Sequence, residues 1–219
     1  KYIEKYYRKS NRDWYYYISS LFRLHNETIN IWTHLLGFIG VLFSCIYVNE
    51  NYNVSKYKSQ SLCFNIFTVC MMCCYLFSSI MHLLYPKSEK YCINTQFLDY
   101  TGINLLIAGT FSTFVYYAFY CNIIIQKIYY SLILGIALII IPISKLKIFS
   151  TAKYRWIRTS TFILYGCSFL VPIIHRISIN EINDNTFYIE LNYFILSGSM
   201  YIIGIFFYIT RLPEKRFPG

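Results

Sequence analysis

Six long apolar runs, separated by short polar stretches, set the pattern of the chain. A helix needs about 20 mostly apolar residues to cross the hydrocarbon core of a bilayer, and each run reaches or approaches that length. The runs cover residues 31–48, 61–85, 98–120, 122–144, 159–175 and 191–210. The pattern predicts an all-α fold, a polytopic transmembrane helical bundle with six spans.

A shorter amphipathic stretch, residues 13–24, precedes the first run. Its apolar residues fall on one helical face: Trp14, Ile18, Leu21 and Phe22. Basic residues stand near both of its ends, which is typical of a helix that lies in the membrane interface. The chain is therefore divided into an amino-terminal segment (1–30) with an interfacial helix, a transmembrane bundle (31–210) and a tail (211–219).

The distribution of basic residues predicts the orientation of the bundle. Sixteen of the twenty Lys and Arg residues lie in the amino-terminal segment, the second and fourth loops and the tail, and four lie in the other loops. Cytoplasmic loops carry the excess of Lys and Arg in membrane proteins. We therefore expect a multi-pass protein with its amino terminus and its last residue in the cytosol.

Composition narrows the class of protein further. With 56% hydrophobic and 14% charged residues, the chain is too apolar for an ordinary soluble domain. A net charge of +10 can indicate a protein that binds nucleic acid. Here the basic residues form no separate domain, and we predict no nucleic-acid partner. Most of the eight cysteines fall inside apolar runs, where a thiol packs as a small hydrophobic group.

A few ionisable residues stand where lipid would make them costly, and such residues usually serve a function. Asp99 opens the third run, and His82 ends the second, just before Pro86. The short connection makes the two helices antiparallel neighbours, so His82 and Asp99 lie at the same depth and can face each other. Ser78 lies one turn before His82 on the same face. Two simpler interpretations stay open, namely that Asp99 only caps its helix and that His82 is only hydrogen-bonded.

The other histidines carry weaker signals. His34 begins the first run on the same side as His82, whereas His175 lies toward the opposite end of the bundle and is interpreted as structural or as a rim residue. Three polar residues just ahead of the first span are interpreted as a cap for it or as a lock to a cytoplasmic loop: His25, Glu27 and Asn30.

Four motifs occur in order along the chain: "SLFRLHNETINIWTHLLGF" (20–38), "SSIMH" (78–82), "LDYTGINLLIAGTF" (98–111) and "RLPEKRFPG" (211–219). With them the chain resembles the progestin and adipoQ receptors and the bacterial haemolysin III proteins, in particular the adiponectin-receptor-like branch. The last motif resembles the segment ahead of the family's seventh helix. The resemblance, together with the start at Lys1, leads us to expect part of a longer protein that lacks that helix.

The resemblance implies a zinc site near the cytoplasmic face. It assigns His82 as a zinc ligand, Asp99 as the acid that positions a water, and Ser78 as the hydroxyl that supports the site. Two further histidine ligands, from an H-x-x-x-H motif on the seventh helix, are expected beyond Gly219. Three protein ligands and an open position are typical of catalytic zinc. With one of the three ligands, the chain as given is expected to bind zinc weakly or not at all.

Three functions remain as hypotheses. The resemblance favours a zinc-dependent hydrolase of lipid amides such as ceramides, with membrane lipids as its partners. A receptor or sensor with structural zinc is the alternative. Membrane permeabilisation, which the haemolysin name suggests, has less support, because the apolar runs lack the polar stripe that would line a pore.

Overall fold

The computed structural model describes residues 5–52, 56–179 and 185–217. Within these ranges every regular element is a helix, and the predicted all-α fold is confirmed. The helices are α1 (Trp14–Ser19), α2 (Thr28–Asn51), α3 (Lys58–Leu84), α4 (Glu89–Ala118), α5 (Ile123–Ser144), α6 (Lys147–Ser150), α7 (Arg155–Cys167), α8 (Leu170–Ile179) and α9 (Asn185–Thr210). Short 3₁₀ turns follow α1 and precede α7 (Ser20–Phe22 and Ala152–Tyr154).

The chain forms two compact units. The first, Arg8–Phe169, contains α1 to α7, whereas α8 and α9 belong to the second. The three residues to which the family resemblance gives roles in a zinc site, Ser78, His82 and Asp99, all lie in the first unit.

Five stretches of the described chain are long and apolar enough to cross a membrane: Thr28–Asn51, Lys58–Leu84, Ile123–Ser144, Arg155–Ile179 and Leu191–Thr210. They correspond to five of the six predicted runs. The count of six is therefore one too high by this measure. The exception is α4, which takes in most of the predicted run 98–120 and, at 30 residues, is long enough but not apolar enough.

The surroundings of α4 explain its lower hydropathy. It contacts both α3 and α5, and many of its residues are buried: Thr95, Tyr100, Gly102, Asn104, Gly109, Phe111, Phe114, Val115 and Ala118. Asn104, only 1% exposed, donates from Nδ2 to the carbonyl oxygen of Ala137 on α5 at 3.4 Å. A helix surrounded by other helices can carry polar residues because protein groups, and not lipid, meet them.

Two glycines let α4 approach α3 closely. A Cβ added at Gly102 would lie 2.9 Å from the Cα of Cys74, and one added at Gly109 would lie 2.9 Å from the Cβ of Cys70. As the residue number rises along α4 it falls along α3, so the two helices are antiparallel. Small residues at helix contacts are the usual device for close packing in membranes.

The predicted span 159–175 is not one continuous helix. α7 ends at Cys167, and α8 begins at Leu170 after a turn of two residues. Pro172 gives the physical reason, because a proline has no N–H with which to continue the hydrogen-bond pattern of a helix.

The amino-terminal segment contains the expected amphipathic helix, but shortened. α1 is only six residues long, and Asp13 caps it by accepting the N–H of Tyr16 at 2.9 Å. Trp14, Ile18 and Phe22 are 49%, 53% and 81% exposed. Leu21, the fourth residue of the predicted apolar face, is half-buried. Most of that face is thus exposed, which is typical of a helix in the membrane interface.

Lys87, in the turn between α3 and α4, ties this segment to the rest of the first unit. Its ammonium lies 4.7 Å from the ring centroid of Trp14, 5.2 Å from that of Tyr17 and 5.5 Å from that of Tyr91. It also donates a hydrogen bond to the carbonyl oxygen of Arg12 at 2.8 Å. Cation–π contacts of this kind fix the segment beside the α3–α4 turn.

Candidate functional site

The α3–α4 turn places the predicted site residues next to each other. Tyr85, directly after α3, still has helical backbone, but Pro86 has no N–H to donate to the carbonyl of His82, and the helix ends at Leu84. Ser88 then starts α4 by accepting the N–H of Tyr91 on its side-chain oxygen at 3.4 Å. The end of α3 and the start of α4 therefore lie side by side, at what we call the turn end of the bundle.

Asp99 of α4 faces the end of α3. Its carboxyl is partly buried and lies within electrostatic range of Ser78, His82 and His34. Ser78 is only 6% exposed. The structure therefore brings together the three residues Ser78, His82 and Asp99, whose roles in a zinc site stay predictions.

The side chain of His82 contacts an acid that lies next to a different helix. Its Nδ1 lies 2.8 Å from Oε2 of Glu27, the residue just before α2. The side chains of His82 and Glu27 are 21% and 13% exposed, respectively. This hydrogen-bonded pair joins the start of α2 to the end of α3.

Three further donors hold the Glu27 carboxylate. Asn30 donates from Nδ2 to Oε2 at 2.7 Å, and Asn26 donates from Nδ2 to Oε1 at 2.8 Å. The Tyr85 hydroxyl donates to Oε1 at 3.1 Å. With His82, each carboxylate oxygen thus has two partners, and the carboxylate has little freedom to rotate.

These contacts set the charge of the acid and of its phenol partner. Burial alone would raise the pKa of Glu27, but the hydrogen bonds from His82, Asn30 and Tyr85 outweigh it and hold the pKa below its ordinary value. Burial, together with the nearby Glu27 charge, raises the pKa of Tyr85 to about 12. At neutral pH Glu27 is therefore an ionised acceptor and Tyr85 a protonated donor.

Arg8 fixes the backbone at the same place. Its guanidinium, in a residue that is 9% exposed, donates to the carbonyl oxygen of His82 at 2.6 Å, to that of Leu83 at 2.9 Å and to the Ser20 hydroxyl at 3.0 Å. The last carbonyls of a helix have no partner within the helix, and Arg8 supplies donors for two of them. Burial lowers the pKa of Arg8 from its usual high value.

His34, on the first turns of α2, lies beside His82 of α3. The centroids of the two imidazole rings are 5.7 Å apart, and Nδ1 of His34 is 2.7 Å from the carbonyl oxygen of Asn30. The sequence places His34 on the same side as His82, but only the structure shows the two rings as neighbours. His175, by contrast, lies on α8 in the second unit.

Most of the contacts around His82 cannot be predicted from the sequence. Glu27 is interpreted from the sequence as a cap or as a lock to a cytoplasmic loop. Its side chain makes no capping hydrogen bond to α2 and instead bonds to His82 and Tyr85 at the end of α3. The signal in the sequence that could have identified Glu27 is its position as an acid directly ahead of an apolar run. No such signal exists for Arg8, because nothing in the sequence distinguishes it from the other basic residues of the amino-terminal segment.

The donor set for a metal is partial. Within residues 5–52, 56–179 and 185–217, no group of three or more His, Cys, Asp or Glu side chains is arranged to hold a metal ion. His82 and Asp99 offer one imidazole and one carboxylate, which are both zinc ligand types. The residues present therefore fit part of a zinc site.

The apolar helices and the buried α4 define the class of protein, a multi-pass helical membrane protein, with a histidine–carboxylate cluster at the turn end of its first unit. The chain belongs to the haemolysin-III related family, whose model matches residues 22–219. The family resemblance read from the four motifs is thereby confirmed.

Individual relatives agree with this membership. The chain is 34% identical over 200 residues to the adiponectin receptor protein of Drosophila melanogaster, an alignment that covers 91% of this chain and 45% of that protein. It is 31% identical to heptahelical transmembrane protein 3 of Arabidopsis thaliana (91% of this chain, 69% of that protein) and to human progestin and adipoQ receptor family member 3 (92% and 66%). The chain thus spans about half the length of the fly receptor. The fly and human relatives are receptors by name, and the chain is a receptor-like membrane protein.

Proposed function

We propose that this receptor-like protein hydrolyses lipid amides of the ceramide type, with zinc as its cofactor and with its amino-terminal segment in the cytosol. The observation that carries the proposal is the cluster of Ser78, His82 and Asp99 in a multi-pass membrane protein of this family. Polar and ionisable groups inside a membrane bundle are costly and usually functional.

Zinc would be held by His82 and by the two histidines that the family resemblance places on a seventh helix. His82 would bind through Nε2, because Glu27 occupies its Nδ1. When bound, zinc supplies a water of lowered pKa and polarises the carbonyl to be attacked.

Asp99 would accept a proton from the attacking water, and Ser78 would orient Asp99. The Ser78 hydroxyl would donate to the Asp99 carboxylate and fix its orientation, so that a free carboxylate oxygen accepts a proton from the attacking water. The water oxygen bonds to the amide carbon, the C–N bond breaks, and Asp99 returns the proton to the leaving nitrogen. The products are a fatty acid and a sphingoid amine.

Hydrolysis of labelled ceramide by the purified full-length protein tests this role. Asp99→Asn is expected to lower kcat by about 10²–10⁴-fold, since the amide cannot accept the proton. Asp13→Asn is the matched control, because Asp13 caps α1, and it is expected to keep full activity. Equal turnover by the Asp99 variant and the wild type would exclude the mechanism.

A receptor without hydrolytic activity is the second candidate, and the name of the fly relative favours it. In that case zinc would be structural and ligand binding would change helix packing. His82→Ala would then lower thermal stability in detergent without any turnover to lose, and the wild-type protein would release no fatty acid from labelled ceramide.

A further inference from the structure

The hydrogen bond between His82 and Glu27 defines which nitrogen of the imidazole carries the proton. A neutral imidazole has one N–H and one lone pair. Nδ1 of His82 lies 2.8 Å from Oε2 of Glu27, and an ionised carboxylate can only accept. The hydrogen is therefore on Nδ1, and the lone pair is on Nε2.

We propose that Glu27 is the positioning residue of His82: it fixes the Nδ1–H tautomer and the ring orientation, so that Nε2 is the atom offered to a metal. A carboxylate behind the distal nitrogen of a ligating histidine raises the basicity of the ligand and holds its plane. The metal part of this inference rests on the proposed function. The tautomer does not, because it is a property of the metal-free chain.

The Glu27 carboxylate is held firmly enough to fix the orientation of the His82 ring. Asn26 and Tyr85 donate to Oε1, while Asn30 and His82 share Oε2. Turning the carboxylate away from His82 would break several of these bonds at once. Because the donors come from the start of α2 and the end of α3, the position of the imidazole also depends on the packing of these two helices.

The backbone of His82 is held independently of its ring. Arg8 donates to the carbonyl oxygen of His82 at 2.6 Å, at the last turn of α3. His82 is therefore restrained at the main chain by one residue and at the side chain by another. Such restraint from both ends is what a preorganised ligand needs, whereas a salt bridge that only joined two helices would need no defined tautomer.

The ¹⁵N shifts of the His82 ring in the metal-free protein test the tautomer directly. At pH 8, where imidazole is ordinarily neutral, we expect a protonated Nδ1 and an unprotonated Nε2 in the wild type. Glu27→Gln replaces the acceptor with an amide that can also donate, and a mixture of tautomers should appear. Tyr85→Phe is the matched control, because it removes one bond to Glu27 and leaves the His82 contact, so its tautomer should stay that of the wild type.

Zinc affinity of the full-length protein gives the second readout. Glu27→Gln should weaken zinc binding by about 10–100-fold, the usual effect of losing a residue behind a ligand, and Tyr85→Phe by a much smaller factor. Glu27→Asp, which keeps the charge, should recover part of the loss. If Glu27→Gln does not fold, the wild-type shifts alone still decide, because an Nε2–H tautomer would overturn the proposal.

The outcomes separate this inference from the proposed function. A wild-type protein with the Nδ1–H tautomer and no zinc affinity would keep the positioning role and reject the zinc hydrolase. A wild-type protein that binds zinc, and whose tautomer and affinity do not change in Glu27→Gln, would keep the hydrolase and reject the positioning role.

Discussion

Single side chains around His82 come from parts of the sequence that are far apart. Arg8 lies 74 positions before His82, and Glu27 lies 55 positions before it. No local pattern connects such residues, since helical periodicity relates only positions three or four apart. The motifs single out Ser78, His82 and Asp99, whose roles stay predictions. The contacts of Arg8, Glu27 and Tyr85 depend on how the amino-terminal segment folds against α3 and have no such motif.

Arg8 should be important for stability although it lies outside every predicted span. Arg8→Ala removes donors from two helix-end carbonyls and one hydroxyl. We expect a loss of about 2–3 kcal/mol in the free energy of unfolding, the size of a hydrogen bond to a charged group. Unfolding in mixed detergent micelles measures it.

Arg12→Ala is the matched control for this prediction. Arg12 is exposed, and the structure shows its backbone carbonyl, not its guanidinium, bonded to Lys87. A change within about 0.5 kcal/mol is expected, as for most surface substitutions. Equal effects of the two substitutions would show that burial of the Arg8 guanidinium contributes nothing.

At the scale of helices, the contact of α3 with α4 determines whether the site residues can meet. Gly102 lies one turn after Asp99, and Cys74 lies one turn before Ser78, so one of the two close approaches of α4 to α3 is next to Asp99 and Ser78. Gly102→Ala would place a methyl group 2.9 Å from the Cα of Cys74. We expect destabilisation of about 1–3 kcal/mol from overpacking, and a lower turnover if the chain is a hydrolase.

Gly135→Ala in α5 separates this packing effect from helix propensity. A Cβ at Gly135 would meet no atom within 4 Å, so the substitution adds only the helix preference of alanine. It should be neutral or stabilising by up to about 1 kcal/mol. Thermal unfolding of both variants is the measurement, and an equally stable Gly102→Ala protein would contradict the close-contact argument.

The helices also show what apolarity alone can and cannot predict. Long runs such as 31–48 and 122–144 are predicted correctly, because lipid or apolar neighbours surround most of each helix. α4 is predicted as a helix for the same reason, but its polar side chains mark a helix enclosed by others. A hydropathy pattern averages over the whole circumference of a helix and therefore cannot distinguish an enclosed helix from a poor span.

For the whole molecule, the side on which each loop lies is the main prediction still to be tested. The antiparallel packing of α4 along α3 indicates that both helices extend through the same depth. The amino-terminal segment and Cys121, the exposed cysteine after α4, should then be on opposite sides of the membrane. We expect a membrane-impermeant maleimide to label Cys121 from outside intact cells, with no such labelling in Cys121→Ser.

The reciprocal experiment uses Ser10→Cys in the Cys121→Ser background. Ser10 is exposed in the amino-terminal segment, and its cysteine variant should react only after the cells are permeabilised. Labelling of both sites from the same side would show that α4 does not cross. If intact cells label Ser10→Cys but do not label Cys121 of the wild type, the amino-terminal segment faces the outside, opposite to the side that the basic residues predict.

The position of Lys87 among three aromatic rings has a chemical consequence. An ammonium that is stacked on Trp14, Tyr17 and Tyr91 and bonded to a carbonyl oxygen is a poor target for acylating reagents or modifying enzymes, which need a free amine. Lys90, on the next turn, is exposed and has no such shield. Two lysines three positions apart thus differ in reactivity, and the reactivity of Lys87 reports whether the amino-terminal segment is docked.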